Sequence, residues 1–400
     1  MKHCVVVGGG AAGFMAAATL ASHANNWKIT ILEQGKDVLQ KVKISGGGRC
    51  NVTHQCFEVP FLIKNYPRGS KELQEVFYRF QPQDTIDFFN KNGVATKVEP
   101  DGRMFPISNS SQSIIDCFLK IASQHNIKIN TQSKVTKLNY VDNKWKIICN
   151  NNTIEADHII LCTGSSASFW AILQTLGHTV VAPVPSLFTF QIKHPLILDL
   201  AGSSFQNSII NLQNDKLKIH GPCLITHWGL SGPAVLKLSA HRARQLFELN
   251  YTTQICINFT GLSKETMFEM LVTTKKNNPN KKIENTPHFE LSHRFWKQLL
   301  LYQLIDPALS LASVKNEVLQ QLANTLSACV MHINGKGIFK EEFVTAGGVN
   351  LKEINFKTMQ SKIIPALSLA GEVLNIDGVT GGFNFQAAWS CGYIAGISLV

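Results

Sequence analysis

The residues best placed to do chemistry lie near the start of the chain. Gly8, Gly10 and Gly13 form a G-x-G-x-x-G pattern with Ala11 and Ala12 inside it, after the β-branched run Cys4–Val7. Gly8 permits a tight turn, Gly10 lets backbone N–H groups approach a pyrophosphate, and Gly13 lets helix pack closely on strand. The N-terminus of the alanine-rich helix that follows adds unpaired N–H donors and a positive dipole end. The pattern predicts a second strand over Lys28–Leu32, ending in Glu33 and Gln34. Glu33 stands twenty residues beyond Gly13, where a carboxylate can accept hydrogen bonds from both hydroxyls of an adenosine ribose. The acid disfavours a 2′-phosphate, and so NADP, at this site.

This first pattern does not separate NAD from FAD; the far end of the chain does. Leu367–Ala370 reads as a strand running into Gly371-Glu372. Gly381, Gly382, Phe383, Asn384 and Phe385 then form a glycine turn that opens a helix of small residues. Glu372 suits a ribitol hydroxyl, and the N–H groups around Gly382–Asn384 suit the O2 side of an isoalloxazine, where negative charge develops on reduction. NAD has neither ribitol nor isoalloxazine, so a second dedicated site predicts FAD. In the middle of the chain Val135–Tyr140 and Trp145–Cys149 read as paired strands. The strand Ile159–Cys162 then ends at Thr163-Gly164 and returns the chain to the nucleotide sheet. Val135, Thr163 and Gly164 therefore join the expected cofactor contacts.

A third segment carries two readings. Lys43, Ser45, Gly47, Gly48, Arg49 and Asn51 suit a loop around a pyrophosphate and a flavin edge, with Arg49 offering charge to phosphate. Alternatively, Cys50 and Cys56 form a redox disulfide facing the isoalloxazine, as in flavin disulfide reductases, although five residues intervene here where that class has four. Cys50 is thus a candidate catalytic residue. His227, in a Thr-His-Trp-Gly-Leu-Ser-Gly-Pro turn, is the other; an imidazole with an ordinary pKa near 6.5 can move a proton during hydride chemistry.

Positioning these groups requires an α/β framework with room for an insert. The 400 residues, 44% hydrophobic and 16% charged, suffice for two or three domains. Pro183-Val184-Pro185 punctuates the chain. Residues 1–185 and 339–400 are expected to form a discontinuous Rossmann-like FAD domain. Residues 186–338 are expected to form an inserted substrate domain, β-rich and barrel-like over 186–259 and mainly helical over 260–338. The chain carries +11. The insert holds 15 Lys/Arg against 9 Asp/Glu, with lysines concentrated at Lys275–Lys282, which suits a polyanion such as RNA. The ten cysteines show no zinc-ligand spacing, so no metal is expected and the thiols read as reduced. No apolar run reaches the roughly 18–20 residues of a membrane span, and the N-terminal strand leaves no room for a secretory segment; a cytoplasmic location is expected. Residues 14–400 contain no second G-x-G-x-x-G, so NAD(P)H is expected only as a transient reductant.

The chain resembles the BaiN/RdsA-like, or aminoacetone-oxidase-like, family of NAD(P)/FAD-dependent oxidoreductases. The resemblance runs through Val7–Gly13, Lys43–Thr53, Gly102–Pro106, Thr226–Ala234, Thr345–Val349, Ala370–Leu374 and Gly381–Gln386. One region departs: Thr163-Gly164 runs almost directly to Gly177-His178, where the family has a longer, acid-bearing glycine turn. The resemblance implies a glutathione-reductase-like flavin domain formed by both chain ends. It links the chain to reduction of carbon–carbon double bonds, including uracil in ribosomal RNA, and to amine oxidation, without fixing the substrate; the leading expectation is hydride transfer through flavin N5 to a carbon–carbon double bond. Two alternatives stand beside it: a small-molecule amine oxidase, and a non-catalytic FAD-dependent RNA-binding module. Oligomeric state is left open.

Overall fold

The computed structural model describes residues 1–150, 152–337 and 344–400. The chain divides into two compact units, Met1–Val184 with Thr345–Val400, and Pro185–Val344. It leaves the first unit along the strand Val180–Ser186 and returns along Val344–Val349. The expected return at 338/339 lies outside the described residues.

The first unit is built on a parallel sheet. Lys2–Val7 is flanked by Trp27–Leu32 on one side and His158–Leu161 on the other. Lys128–Asn130 and Leu367–Leu369 extend the sheet outward in parallel. Two short antiparallel strands, Gln360–Ser361 and Ile354–Asn355, close one edge. Cys4–Val7, Ile159–Leu161 and Leu367–Leu369 are wholly buried, as expected of parallel strands covered on both faces. The chain order reverses at Lys2–Val7, so the crevice beyond the strands' C-terminal ends is where such sheets bind ligands. The paired strands expected in the middle are Val135–Val141 and Lys144–Cys149, joined by Asn152–Ala156 in a separate antiparallel sheet.

Two helices decide where the site lies. The first, Ala11–His23, and the last, Phe383–Ile397, are buried on most faces. Small residues let them approach backbone to backbone. A Cβ on Gly392 would stand 2.5 Å from the Ala12 carbonyl oxygen, and one on Gly396 would stand 2.4 Å from that of Ala16. Phe14, Phe89, Phe118 and Trp389 form an aromatic cluster beside this crossing.

The second unit carries a seven-stranded antiparallel sheet. Its two edge strands, Cys329–Ile333 and Gly335–Lys336, are separated by Asn334 alone. One bent stretch of chain thus serves both edges, and the sheet curls into the expected barrel-like form. Phe205, Phe259, Phe295 and Trp296 are buried in its core. The helices Lys264–Asn277, His293–Tyr302 and Asn316–Ser327 belong to the same unit. Pro233–His241 and Ala243–Glu248 are helices inside the part read as β-rich. Among the described residues no helix is long and apolar enough to cross a membrane.

Candidate functional site

The glycine turn after Lys2–Val7 is held by the protein at two points and open at a third. Gly8 has φ +107°, and a Cβ there would lie 2.3 Å from the Cys162 carbonyl oxygen. A Cβ on Gly13 would lie 2.1 Å from the Gly8 carbonyl oxygen. Gly10 differs: nothing stands within 4 Å of its Cβ direction, and its backbone is extended, with φ −97°. Packing requires glycine at 8 and 13; at 10 it leaves clear space before the first helix's N-terminus. Glu33 braces this turn, its Oε2 accepting from the Gly9 N–H at 2.8 Å and its Oε1 from the Gly35 N–H at 2.7 Å. Each oxygen keeps one acceptor site, enough for a ribose hydroxyl. Gln34 beside it is exposed.

The two helix N-termini face the same way. Ala12 meets Gly392 and Ala16 meets Gly396, so the helices run parallel. The last begins nine residues before Gly392, the first only one before Ala12. At 1.5 Å per residue the last helix projects about 12 Å further. A cleft follows that overhang, lined by Gly371, Glu372, Asn384, Ala387, Ala388 and Cys391. Gly164 stands beside it, its Cβ direction 3.8 Å from Glu372 Oε2. Glu372 also pairs with Lys41 Nζ at 2.5 Å. The neighbouring Thr163 Oγ1 is buried with no partner among the described residues. Two uncapped helix N-termini, an acid at each end and an unsatisfied hydroxyl between them fit an extended dinucleotide such as FAD.

The third segment adjoins the last helix. Ser45 leaves the helical conformation, and Gly46, Gly47 and Gly48 take φ of +58°, +67° and +82°. Nothing lies within 4 Å of the Cβ directions of Gly47 and Gly48, and both are exposed. The Asn51 amide ties this loop to the far end of the chain. Its nitrogen donates to the carbonyls of Thr53 and Met104 at 3.0 and 3.2 Å, and its oxygen accepts from the Gly382 N–H at 2.9 Å. Gly382, at φ +91°, approaches so closely that a Cβ would meet the Thr53 carbonyl oxygen at 2.6 Å. Asn384 clamps the turn: its Oδ1 accepts from the Gly378 N–H at 2.8 Å and its Nδ2 donates to the Gly378 carbonyl at 2.9 Å. Phe385 stacks on Trp389.

Several expected contacts take other roles. Arg49 does not present a free charge to phosphate. It donates to Glu99 at 2.6 Å and lies 4.0 Å over the Phe105 ring. Lys43 is exposed, and its carbonyl accepts from Ser111. Val135 is buried in the outer sheet, two residues from Ser133, whose N–H donates to the Glu33 carbonyl at 2.7 Å. Cys50 is fully buried, and burial pushes its thiol up to about 12. Burial thus disfavours the thiolate that nucleophilic or redox chemistry needs, and Cys50 is a free thiol here. Cys56 is half-buried, and burial raises its thiol too. His227 is exposed in the two-residue turn between the strands Ile219–Thr226 and Gly229–Ser231 of the second unit. The cofactor residues above all belong to the first unit.

The sequence reading missed the groups that fix the last helix's N-terminus. Arg68 forms a bidentate ion pair with Asp377, which is fully buried. The Tyr66 hydroxyl donates to the Phe383 carbonyl at 2.7 Å. His54 stacks on Phe383 with ring centroids 4.8 Å apart. The hydroxyls of Thr53 and Thr85 donate to Gln386 Oε1 at 2.5 and 3.0 Å. These are single polar residues some 300 positions from their partners, so no local spacing announces them.

Comparison with known proteins agrees with this architecture. Residues 2–398 match the family model described as the HI0933-like protein Rossmann domain. The chain is 29% identical to the ribosomal RNA dihydrouridine synthase of Escherichia coli K12 over 99% of this chain and 97% of that one. It is 26% identical to the 3-dehydro-bile acid delta(4,6)-reductase of Clostridium scindens, over 99% and 98%. Among solved structures, 3-ketosteroid-delta4-(5alpha)-dehydrogenase from Rhodococcus jostii RHA1 shares the fold, with a TM-score of 0.52 at 13% identity, covering 99% of this chain and 96% of that one.

Proposed function

The chain belongs to the HI0933-like Rossmann family of FAD-dependent oxidoreductases; from that premise we propose that it reduces a carbon–carbon double bond, with uracil in ribosomal RNA as the substrate. The observation that carries the reading is the pair of parallel helix N-termini opening on one cleft, offset by about 12 Å. When bound, FAD supplies hydride transfer through N5, with NAD(P)H as its transient reductant.

The chain's own groups do the rest. The N–H groups that open the first helix bind phosphate at the clear space left by Gly10. Glu33 receives ribose hydroxyls while it braces the turn. Glu372 receives a ribitol hydroxyl, and Lys41 orients its carboxylate. With the flavin bound, the N–H groups of Phe383 and Asn384 would stabilise negative charge on its pyrimidine side, the Gly382 N–H being taken by Asn51 Oδ1. Asn51, Asn384 and the Arg68–Asp377 pair hold that turn rigid, so the donors need no reorganisation.

A reduction rather than an amine oxidation is supported by the activities of both relatives, a dihydrouridine synthase and a delta(4,6)-reductase. RNA is supported by the full-length likeness to the synthase and by the basic second unit. A cytoplasmic location follows from that substrate. The test is to incubate the FAD-loaded protein, reduced anaerobically with NADPH, with ribosomal RNA from a strain deleted for this gene. One uridine should gain two hydrogens by nucleoside mass spectrometry. Unchanged RNA in the presence of fully reduced flavin would refute the substrate, and hydrogen peroxide release with simple amines would favour the oxidase.

A further inference from the structure

In the second unit the lysine-rich stretch read from the sequence is an ordered surface. Residues 275–282 close the helix Lys264–Asn277 and dock on residues 309–316. The Ile283 N–H donates to the Leu309 carbonyl, the Leu311 N–H to that of Lys281, and the Ala312 N–H to that of Pro279, each at 2.9 Å. Lys282 and Ser310 form a β-bridge. Lys275 is the strut: its Nζ donates to the Val314 carbonyl at 2.5 Å and to Asn316 Oδ1 at 3.3 Å. Together the two stretches hold five lysines and no Asp or Glu.

Four of those lysines, Lys276, Lys281, Lys282 and Lys315, are exposed and form no salt bridge among the described residues. Helix electrostatics account for Lys275 and Lys276, which sit at a helix C-terminus where cations are favoured. They do not account for the others. Lys281 and Lys282 lie beyond the helix, and Lys315 is the N-cap of Asn316–Ser327, the end where a cation is disfavoured. Exposed amides of Asn277, Asn280 and Asn316 lie among the lysines and can donate to phosphate oxygens. The nearest acids in sequence, Glu284, Asp306 and Glu317, flank the two stretches.

We infer that Lys276, Lys281, Lys282 and Lys315 form a docking surface for the phosphate backbone of single-stranded RNA. This rests on the proposed RNA substrate and names the face that holds it. Like-charged groups fixed on an ordered scaffold release counterions from a polyanion on contact, with little ordering cost.

The test uses the FAD-loaded protein and a fluorescein-labelled single-stranded RNA oligonucleotide, titrated by anisotropy at several salt concentrations. The variant carries K276Q, K281Q, K282Q and K315Q together, with Lys275 retained as the strut. Four phosphate contacts at about 0.7 each predict a fall of about 3 in the slope of log affinity against log salt. Flavin content, reduction by NADPH and melting temperature should be unchanged, since none of the four touches the cofactor residues. Wild-type binding with the same slope in the variant would overturn the docking surface and leave the RNA substrate standing. No RNA binding by wild type would overturn both. Binding to phosphatidylserine vesicles without binding to RNA would replace the partner with an anionic membrane and overturn the inference.

Discussion

Gly10 offers a sharp test because the protein itself has no need of a glycine there. Its φ of −97° is accessible to alanine, and no atom stands within 4 Å of the added Cβ. Gly10→Ala should therefore leave the cofactor-free fold intact, or stabilise it by about 0.5 kcal/mol through the unfolded chain. The methyl group would project into the space before the first helix, where a pyrophosphate must come within hydrogen-bond distance of backbone N–H groups. Losing two charge-assisted bonds of about 1.5 kcal/mol each removes about 3 kcal/mol of binding, a weakening of FAD affinity by about 10²-fold. Gly13→Ala is the contrast: its Cβ would meet the Gly8 carbonyl oxygen at 2.1 Å, so it should unfold or strongly destabilise the chain with or without FAD. Apoprotein titrated with FAD by fluorescence quenching, beside thermal melts of both variants, separates the two effects. The reasoning fails if Gly10→Ala binds FAD within twofold of wild type, or if it melts as low as Gly13→Ala.

Two further predictions follow from buried titratable groups. Burial pushes the thiols of Cys50, Cys223, Cys329 and Cys391 up to about 12. Their folded values lie above the ordinary range near 8.5, so the stability they contribute is intact below about pH 8.5 and declines as pH rises toward 12. Iodoacetamide at pH 8 should therefore spare Cys50 in the native protein, and Cys50→Ser should leave flavin reduction by NADPH unchanged; native-state labelling of Cys50, or loss of reduction in the variant, would revive the redox pair. His158, buried with Nε2 2.9 Å from the Ser368 hydroxyl, is lowered by burial to about 4. Its folded value lies below 6.5, so the neutral form is favoured by the fold, and stability should fall as pH drops from about 6.5 to 4, by about 3 kcal/mol. His158→Gln should flatten that part of the acid limb in melting-temperature scans, and an unchanged limb would remove His158 as its source.

What the sequence disclosed and what it hid divide along one physical line. Gly8, Gly13, Glu33 and the strands around them were legible because their chemistry is local. A tight turn, a close helix approach and an acid at the next strand's end all fall within 30 residues. The curled sheet was legible as a class because alternating apolar runs such as Gln254–Phe259 have a period of two. The helices at Pro233–His241 and Ala243–Glu248 were not, being too short to show a helical period against neighbouring strands. A guanidinium beside glycines suits phosphate, but the ion pair that Arg49 forms with Glu99, fifty residues away, was not legible. Arg68, Asp377, Tyr66 and His54 were invisible for the same reason: each has meaning only against the final helix, and nothing near it in sequence reports that contact. The glycine turns were therefore readable from spacing, while the contacts that hold the Gly382 turn rigid were not. A polar group that positions a distant helix is chosen by its three-dimensional partner, and a single chain records only one half of that choice at each position.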